Sequence, residues 1–190
     1  MYQNKAFFKK IHQDEQIKDI MEYVFNKYPY ERKRFEIIKV YVNIIGKLLF
    51  LDENEIKELN EIAYYHNIGK AGVNYDDDYK EIQIKHCEIG NLILCSSSSL
   101  VKYANIVLLH HEHYDGSGPL RNLHGEQIPL FSRIITVADT IAHLVIDKDS
   151  EQRFDFSKVK NKLISERGKK LDPEIVDLTI DYLQLHNFIS

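Results

Sequence analysis

The stretch His110-His111-Glu112-His113-Tyr114-Asp115-Gly116-Ser117-Gly118-Pro119 sets three imidazoles and two carboxylates beside a glycine-rich turn, directly after the apolar run Ile106-Val107-Leu108-Leu109. A packed core has no use for that composition. Imidazole and carboxylate are the usual ligands of borderline metals such as Zn, Fe, Mn and Ni, and glycine lets a backbone turn tightly beside them. A polar helix end running into a loop would explain the stretch if it stood alone. Further along and further back, however, His66, His86 and Asp139 fall on apolar helical stripes. A single histidine on such a stripe is more often a hydrogen-bonded core residue than a ligand, but four histidines with an aspartate on successive helices point to a metal.

The elements that must carry these side chains read as helices. Phe7 to Phe25 place apolar residues at helical spacing before Pro29, which predicts one or two helices in residues 1–29. Phe35, Ile38, Val42, Ile45 and Leu49 recur every three or four residues and predict a helix over residues 31–51. Asp52 followed by Glu55 has the form of a capping box, after which Ile56, Leu59, Ile62 and His66 share a face that Gly69 is expected to stop. The acidic run Asp76-Asp77-Asp78 reads as mostly a loop leading into a helix from residue 79 to 95, with His86 among Ile82, Ile89 and Ile93. Leu100, Ala104, Val107 and His111 form the next stripe. Adjacent helical residues point about 100° apart, so His110 and His111 converge only if that helix ends there. Pro129 fits a first helical position before Phe131, Ile134, Ile135, Ala138, Asp139 and Ile141. A short helix over residues 157–165 follows, and Asp172-Pro173 opens a closing helix with Ile175, Leu178, Tyr182 and Leu185 as its expected apolar face. With no alternating strand and no internal repeat, the fold class is all-α, a single-domain helical bundle.

At 190 residues the chain suits one domain. Its 28% charged and 44% hydrophobic residues are ordinary for a globular protein, and its net charge of -4 argues against a DNA or RNA partner. A small phosphorylated ligand needs only a few convergent cations. No signal peptide or long apolar segment is evident, so a cytoplasmic protein with no membrane association is expected. Cys87 and Cys95 are too few for a disulfide framework and read as reduced thiols, Cys87 as a packed free cysteine beside His86.

Taken in order, these pieces resemble the HD-GYP branch of the HD superfamily of metal-dependent phosphohydrolases, over about residues 34–182. His66-Asn67-Ile68-Gly69-Lys70 is similar to its HDIGK segment and His86-Cys87-Glu88-Ile89-Gly90 to its HPxxG. His110-His111-Glu112 through Asp115-Gly116-Ser117-Gly118 is similar to HHExxDGxG, and Ile128-Pro129-Leu130, Arg133-Ile134 and Ala138-Asp139 to IPLxxRIxxxAD. The resemblance divides the chain into an N-terminal helical extension (residues 1–29) and an HD-GYP-like domain (residues 30–190). It implies hydrolysis of a cyclic dinucleotide, cyclic di-GMP, with His66 and Asp139 at one metal position and His86, His110 and His111 at a neighbouring one. The residue at position 67 would bridge them. Lys70, Asp139 and Asp115 are the implied catalytic groups, and Lys70 and Arg133 are suited to substrate phosphates. A homodimer is a further option.

The departures from that pattern fall partly on the metal set and partly on the substrate-side loop. Asn67 stands where the bridging aspartate belongs, Arg34 where an early histidine ligand is expected, and Tyr30 where an upstream acid is expected. Pro119-Leu120 replaces the Tyr-Pro of the GYP signature, and Ile141-Ala142-His143-Leu144 its FDAL. Two unit charges about 4 Å apart repel by about 4 kcal/mol at an effective dielectric near 20, and two divalent ions by about four times that, before a bridging anion offsets it. Asn67 supplies no anion. The expectation is therefore one divalent ion, whether Fe, Mn, Ni or Zn, held mainly by His86, His110 and His111, with Arg34 ion-paired to Asp139. Two functional readings follow, a divergent phosphohydrolase and a weakly active or inactive relative that serves as a nucleotide-sensing or protein-interaction module.

Overall fold

The computed structural model describes residues 2–74, 78–146 and 155–186. Asp76 and Asp77 of the acidic run lie outside them. The chain runs through α1 (Tyr2–Lys27), α2 (Pro29–Leu48), α3 (Glu53–Tyr65), a 3-10 turn (Ile68–Gly72), α4 (Tyr79–Cys95), α5 (Val101–Leu108), α6 (Leu130–Val145), α7 (Phe156–Glu166) and α8 (Pro173–Leu185). The fold is all-α, with no β-strand among the described residues. Helix α2 packs against α3 and α6, while α4 packs against the 3-10 turn and α5. The core between them is aliphatic, with Ile38, Val42, Ile45, Leu59, Val107, Ile134 and Ile135 at 0% exposure. Each such side chain contributes about 1.5–3 kcal/mol relative to an exposed one. Helix α1 joins this same core through Ile17, Met21, Val24 and Phe25.

Local chemistry sets most boundaries. Pro29 starts α2 without losing a needed N–H, and Asp52 accepts from Asn54 and Glu55 N–H while Glu55 reaches back to the Asp52 N–H. Asp172 caps α8 by accepting from Glu174 and Ile175 N–H. Two expectations are corrected. Gly69 is not a helix stop. It lies inside the 3-10 turn where a Cβ would stand 1.8 Å from the His86 carbonyl oxygen and 2.6 Å from the Gly90 nitrogen, so its role is to let the turn touch α4. The buried face of α8 is Ile175, Val176, Thr179, Ile180 and Leu183, about one residue round from the face expected, which leaves Leu185 at 79% exposure.

Candidate metal centre

Three elements deliver the four histidines to one place. His66 caps the C-terminus of α3, His86 lies in mid-α4, and His110 and His111 follow immediately after α5 ends at Leu108. That ending allows the adjacent pair to converge, with ring centroids 4.1 Å apart. His86 lies 5.2 Å from His110 and 5.0 Å from His111, and His66 lies 5.5 Å from His110, again between centroids. All four are buried.

The orientation of three rings is fixed by their own helices. Nδ1 of His66 bonds the Ala63 carbonyl at 2.7 Å, Nδ1 of His86 the Ile82 carbonyl at 2.7 Å, and Nδ1 of His110 the Val107 carbonyl at 2.6 Å. A carbonyl can only accept, so each Nδ1 carries the proton and donates it. Burial keeps His86, His110 and His111 neutral, pushing His86 and His111 well below the usual imidazole range and His110 down to about 3, where neighbouring His66 adds to the effect. The Nε2 atoms of His86 and His110 are therefore bare lone pairs. They face one another at 3.3 Å, while His66 Nε2 has no hydrogen-bond partner and stands 3.8 Å from Asp139 Oδ1. Converging lone pairs repel unless a cation or proton lies between them. Donor atoms of His86, Cys87, His110 and His111 all fall within 4.8 Å of one another. This group fits a divalent metal, with ring N–H groups anchored to backbone carbonyls as metal-ligating histidines generally are.

On the other side the residues do not fit a second ion. Arg34 Nε and a terminal nitrogen donate to the two Asp139 carboxylate oxygens, each at 2.6 Å, in a buried two-point pair. Glu31 accepts from Lys70 Nζ at 2.5 Å and from Asn67 Nδ2 at 2.8 Å. Asn67 thus turns its amide donor to Glu31, and Asp139 gives both oxygens to Arg34. Burial favours the neutral carboxyl at Glu31 and Asp139, but the adjoining cations outweigh it and hold both below the usual carboxylate range, Asp139 well below. Two cations balance two anions without any metal. Glu31 was missed by the sequence reading, which counted back to Tyr30. The available signal was an acid three residues before Arg34, a spacing that shares a helix face.

A cavity of about 240 Å³ opens beside this network, its wall including Tyr30, Arg34, Asn67, Lys70, His86 and His111. Lys70 thus shares the cavity with His86 and His111. Arg133 does not: it donates to the Ile128 carbonyl at 3.0 Å and pairs with Asp172, tying the loop before α6 to the cap of α8. Asp115, an implied catalytic group, is exposed and accepts from the Ser117 N–H in a turn. Its own N–H donates to the Lys169 carbonyl. The carboxylate that organises this loop is the buried Glu112, which accepts from the N–H groups of Leu120, Arg121 and Leu123, each at 2.9 Å.

A helical bundle that brings buried histidines from successive helices together, with donor atoms placed so that they could hold a metal ion, has the arrangement of an HD-type domain. Comparison with known proteins agrees: the HD domain family model matches residues 18–175, and the chain belongs to that family within the HD superfamily of phosphohydrolases. It is 30% identical over 145 residues to the cyclic di-GMP phosphodiesterase response regulator RpfG of Xanthomonas campestris pv. campestris, covering 70% of this chain and 38% of that protein. It is 26% identical over 156 residues to the 3'3'-cGAMP-specific phosphodiesterase 2 of Vibrio cholerae, covering 76% of this chain and 30% of the relative. The chain thus spans about a third of the length of these relatives. Among solved structures, the HD domain of the Listeria monocytogenes phosphodiesterase PgpH, in complex with cyclic di-AMP, has a TM-score of 0.61 at 16% identity, covering 90% of this chain and 97% of that one. The V. cholerae cyclic GMP-AMP specific phosphodiesterase V-cGAP3 has a TM-score of 0.67 at 18% identity, covering 83% and 45%. At those identities the likeness is one of fold.

Proposed function

We propose that this domain is a receptor for a cyclic dinucleotide, cyclic di-GMP foremost, built around a one-metal centre and holding the ligand's phosphodiester without cleaving it. The observation that carries this reading is the buried Arg34–Asp139 pair, which puts a guanidinium where the family resemblance expects a metal ligand. Paired-metal phosphoryl chemistry needs cations on both the attacking and the leaving oxygens. Here the second cationic place belongs to Arg34 and Lys70, already neutralised by Asp139 and Glu31.

A divalent ion held mainly by His86, His110 and His111 would supply positive charge to the cavity wall that His86 and His111 help to line. The remaining work falls to the chain. Lys70 and Arg34 present N–H donors along the cavity wall, while their carboxylate partners lie behind them, so the face open to ligand is cationic. Pockets for drug-sized ligands run to about 300–1,000 Å³. A cavity of about 240 Å³ suits one phosphodiester with its flanking sugar, the rest of the ligand crossing the rim.

The test is calorimetric titration of the metal-loaded chain with cyclic di-GMP, 3'3'-cGAMP and cyclic di-AMP, with chromatography of each mixture after supplying Mn, Fe or Ni. Expected are saturable binding of at least one, no linear product, and a loss of affinity of about tenfold or more in Lys70→Ala, in line with hydrogen bonds to charged groups. Linear product would overturn the receptor reading in favour of a phosphohydrolase. That second reading is supported by the placing of Lys70, His86 and His111 around one cavity.

A further inference from the structure

Cys87 stands in the HPxxG-like segment where the resemblance has proline, and its side chain is fully buried. Its Sγ lies 3.8 Å from His86 Nε2 and 3.6 Å from His110 Nδ1, and belongs to the set of four donor atoms within 4.8 Å of one another. The separations between lone-pair atoms can be set against a metal tetrahedron; His110 Nδ1, which donates its proton to Val107, is not one of these atoms. Nitrogens bound at about 2.0–2.1 Å and a thiolate at about 2.3 Å give N–N edges of about 3.3–3.4 Å and S–N edges of about 3.6 Å. The His86–His110 Nε2 separation is 3.3 Å and the Cys87–His86 separation 3.8 Å.

We infer that Cys87 is a fourth protein ligand, so that His86, Cys87, His110 and His111 close a tetrahedral centre around the metal. Three neutral imidazoles alone would leave a position for water, the arrangement of catalytic zinc sites, whereas four protein donors are the arrangement of structural ones. The sulfur also selects among metals, favouring zinc over manganese, which prefers oxygen donors. On metal entry the S–H bond breaks, a sulfur–metal bond forms and the proton leaves to solvent, with no change of oxidation state. This inference rests on the one-metal reading and gives it a chemical reason for binding without turnover.

Cobalt(II) tests it directly. The chain has two cysteines, and Cys95 is exposed, so Cys95→Ser leaves Cys87 as the sole thiol. That protein, loaded with cobalt(II), is expected to bind one equivalent and to show an intense near-ultraviolet thiolate-to-cobalt charge-transfer band. No further variant is needed, since only Cys87 can give it. Adding Cys87→Ala should abolish the band and weaken cobalt binding by about 100-fold or more, beyond the 10–100-fold typical of groups that merely support a ligand. One equivalent bound without the band would overturn ligation by Cys87 and leave the one-metal reading standing. Two equivalents, or none, would overturn both.

Discussion

Removing either member of the Arg34–Asp139 pair leaves a buried charge without its counter-ion, which typically costs about 3–5 kcal/mol. Arg34→Ala and Asp139→Ala are each expected to lose stability of that order in urea unfolding. The double variant should lose less than the sum, because the second change removes the orphaned charge. The same pair sets metal stoichiometry. Asn67→Asp with Arg34→His is expected to raise bound metal from one equivalent towards two by elemental analysis, since it adds a carboxylate and an imidazole where an amide and a guanidinium now stand. An unchanged stoichiometry would show that Asp139 and His66 do not form a second metal position. Arg34 pairing with Asp139 was expected from the sequence, as opposite charges at places where a metal set had lost members. Glu31 was not, because a one-residue offset in counting along a helix moves a side chain by about 100°. Arg133 was misplaced for a different reason: its partner Asp172 is remote in sequence and was already explained as a helix cap.

Helix spacing was legible because apolar periodicity and capping are local. Asp52 and Asp172 each mark a start that the structure reproduces, while Pro29, read as a break, is the first residue of α2. Contacts between elements were not legible, and Gly69 shows why: nothing in its neighbours reveals that α4 passes against it. Gly69→Ala should therefore do more than the fractions of a kcal/mol expected of a glycine-to-alanine change in open space. The turn and α4 must separate, His66 and His86 with them, so a loss of about 3 kcal/mol or more and weakened metal binding are expected. The loop after α5 has its own dependence. Glu112→Ala would strip three backbone N–H groups of their acceptor, and hydrogen exchange at Leu120, Arg121 and Leu123 should accelerate while that of α2 stays protected.

The molecule as a whole should lose stability as acidity rises. Unfolded histidines take up protons below about pH 6.5, but burial holds His86, His110 and His111 of the folded protein neutral to far lower pH, His110 to about 3. The unfolded chain thus binds more protons through this window, so the contribution is intact above pH 6.5 and declines as pH falls below it. His110 alone accounts for about 2 kcal/mol at pH 5 and about 4 kcal/mol by pH 3. Asp139 acts in the same direction further down, as its unfolded carboxyl protonates near the usual value while the folded one resists. Urea unfolding of metal-free protein at pH 7 and pH 5 checks this, the midpoint falling at the lower pH. Among the described residues no helix is long and apolar enough to cross a membrane.

The bonds from imidazole Nδ1 to the Ala63, Ile82 and Val107 carbonyls have one more consequence, for entropy. A side chain free to rotate must be immobilised before it can grip an ion, at about 0.5–1.5 kcal/mol each. His86 and His110 are held in place by their own helices before any metal arrives. For the two together that spares about 2 kcal/mol, or roughly thirtyfold in affinity, which a short peptide carrying the same donors would have to forgo.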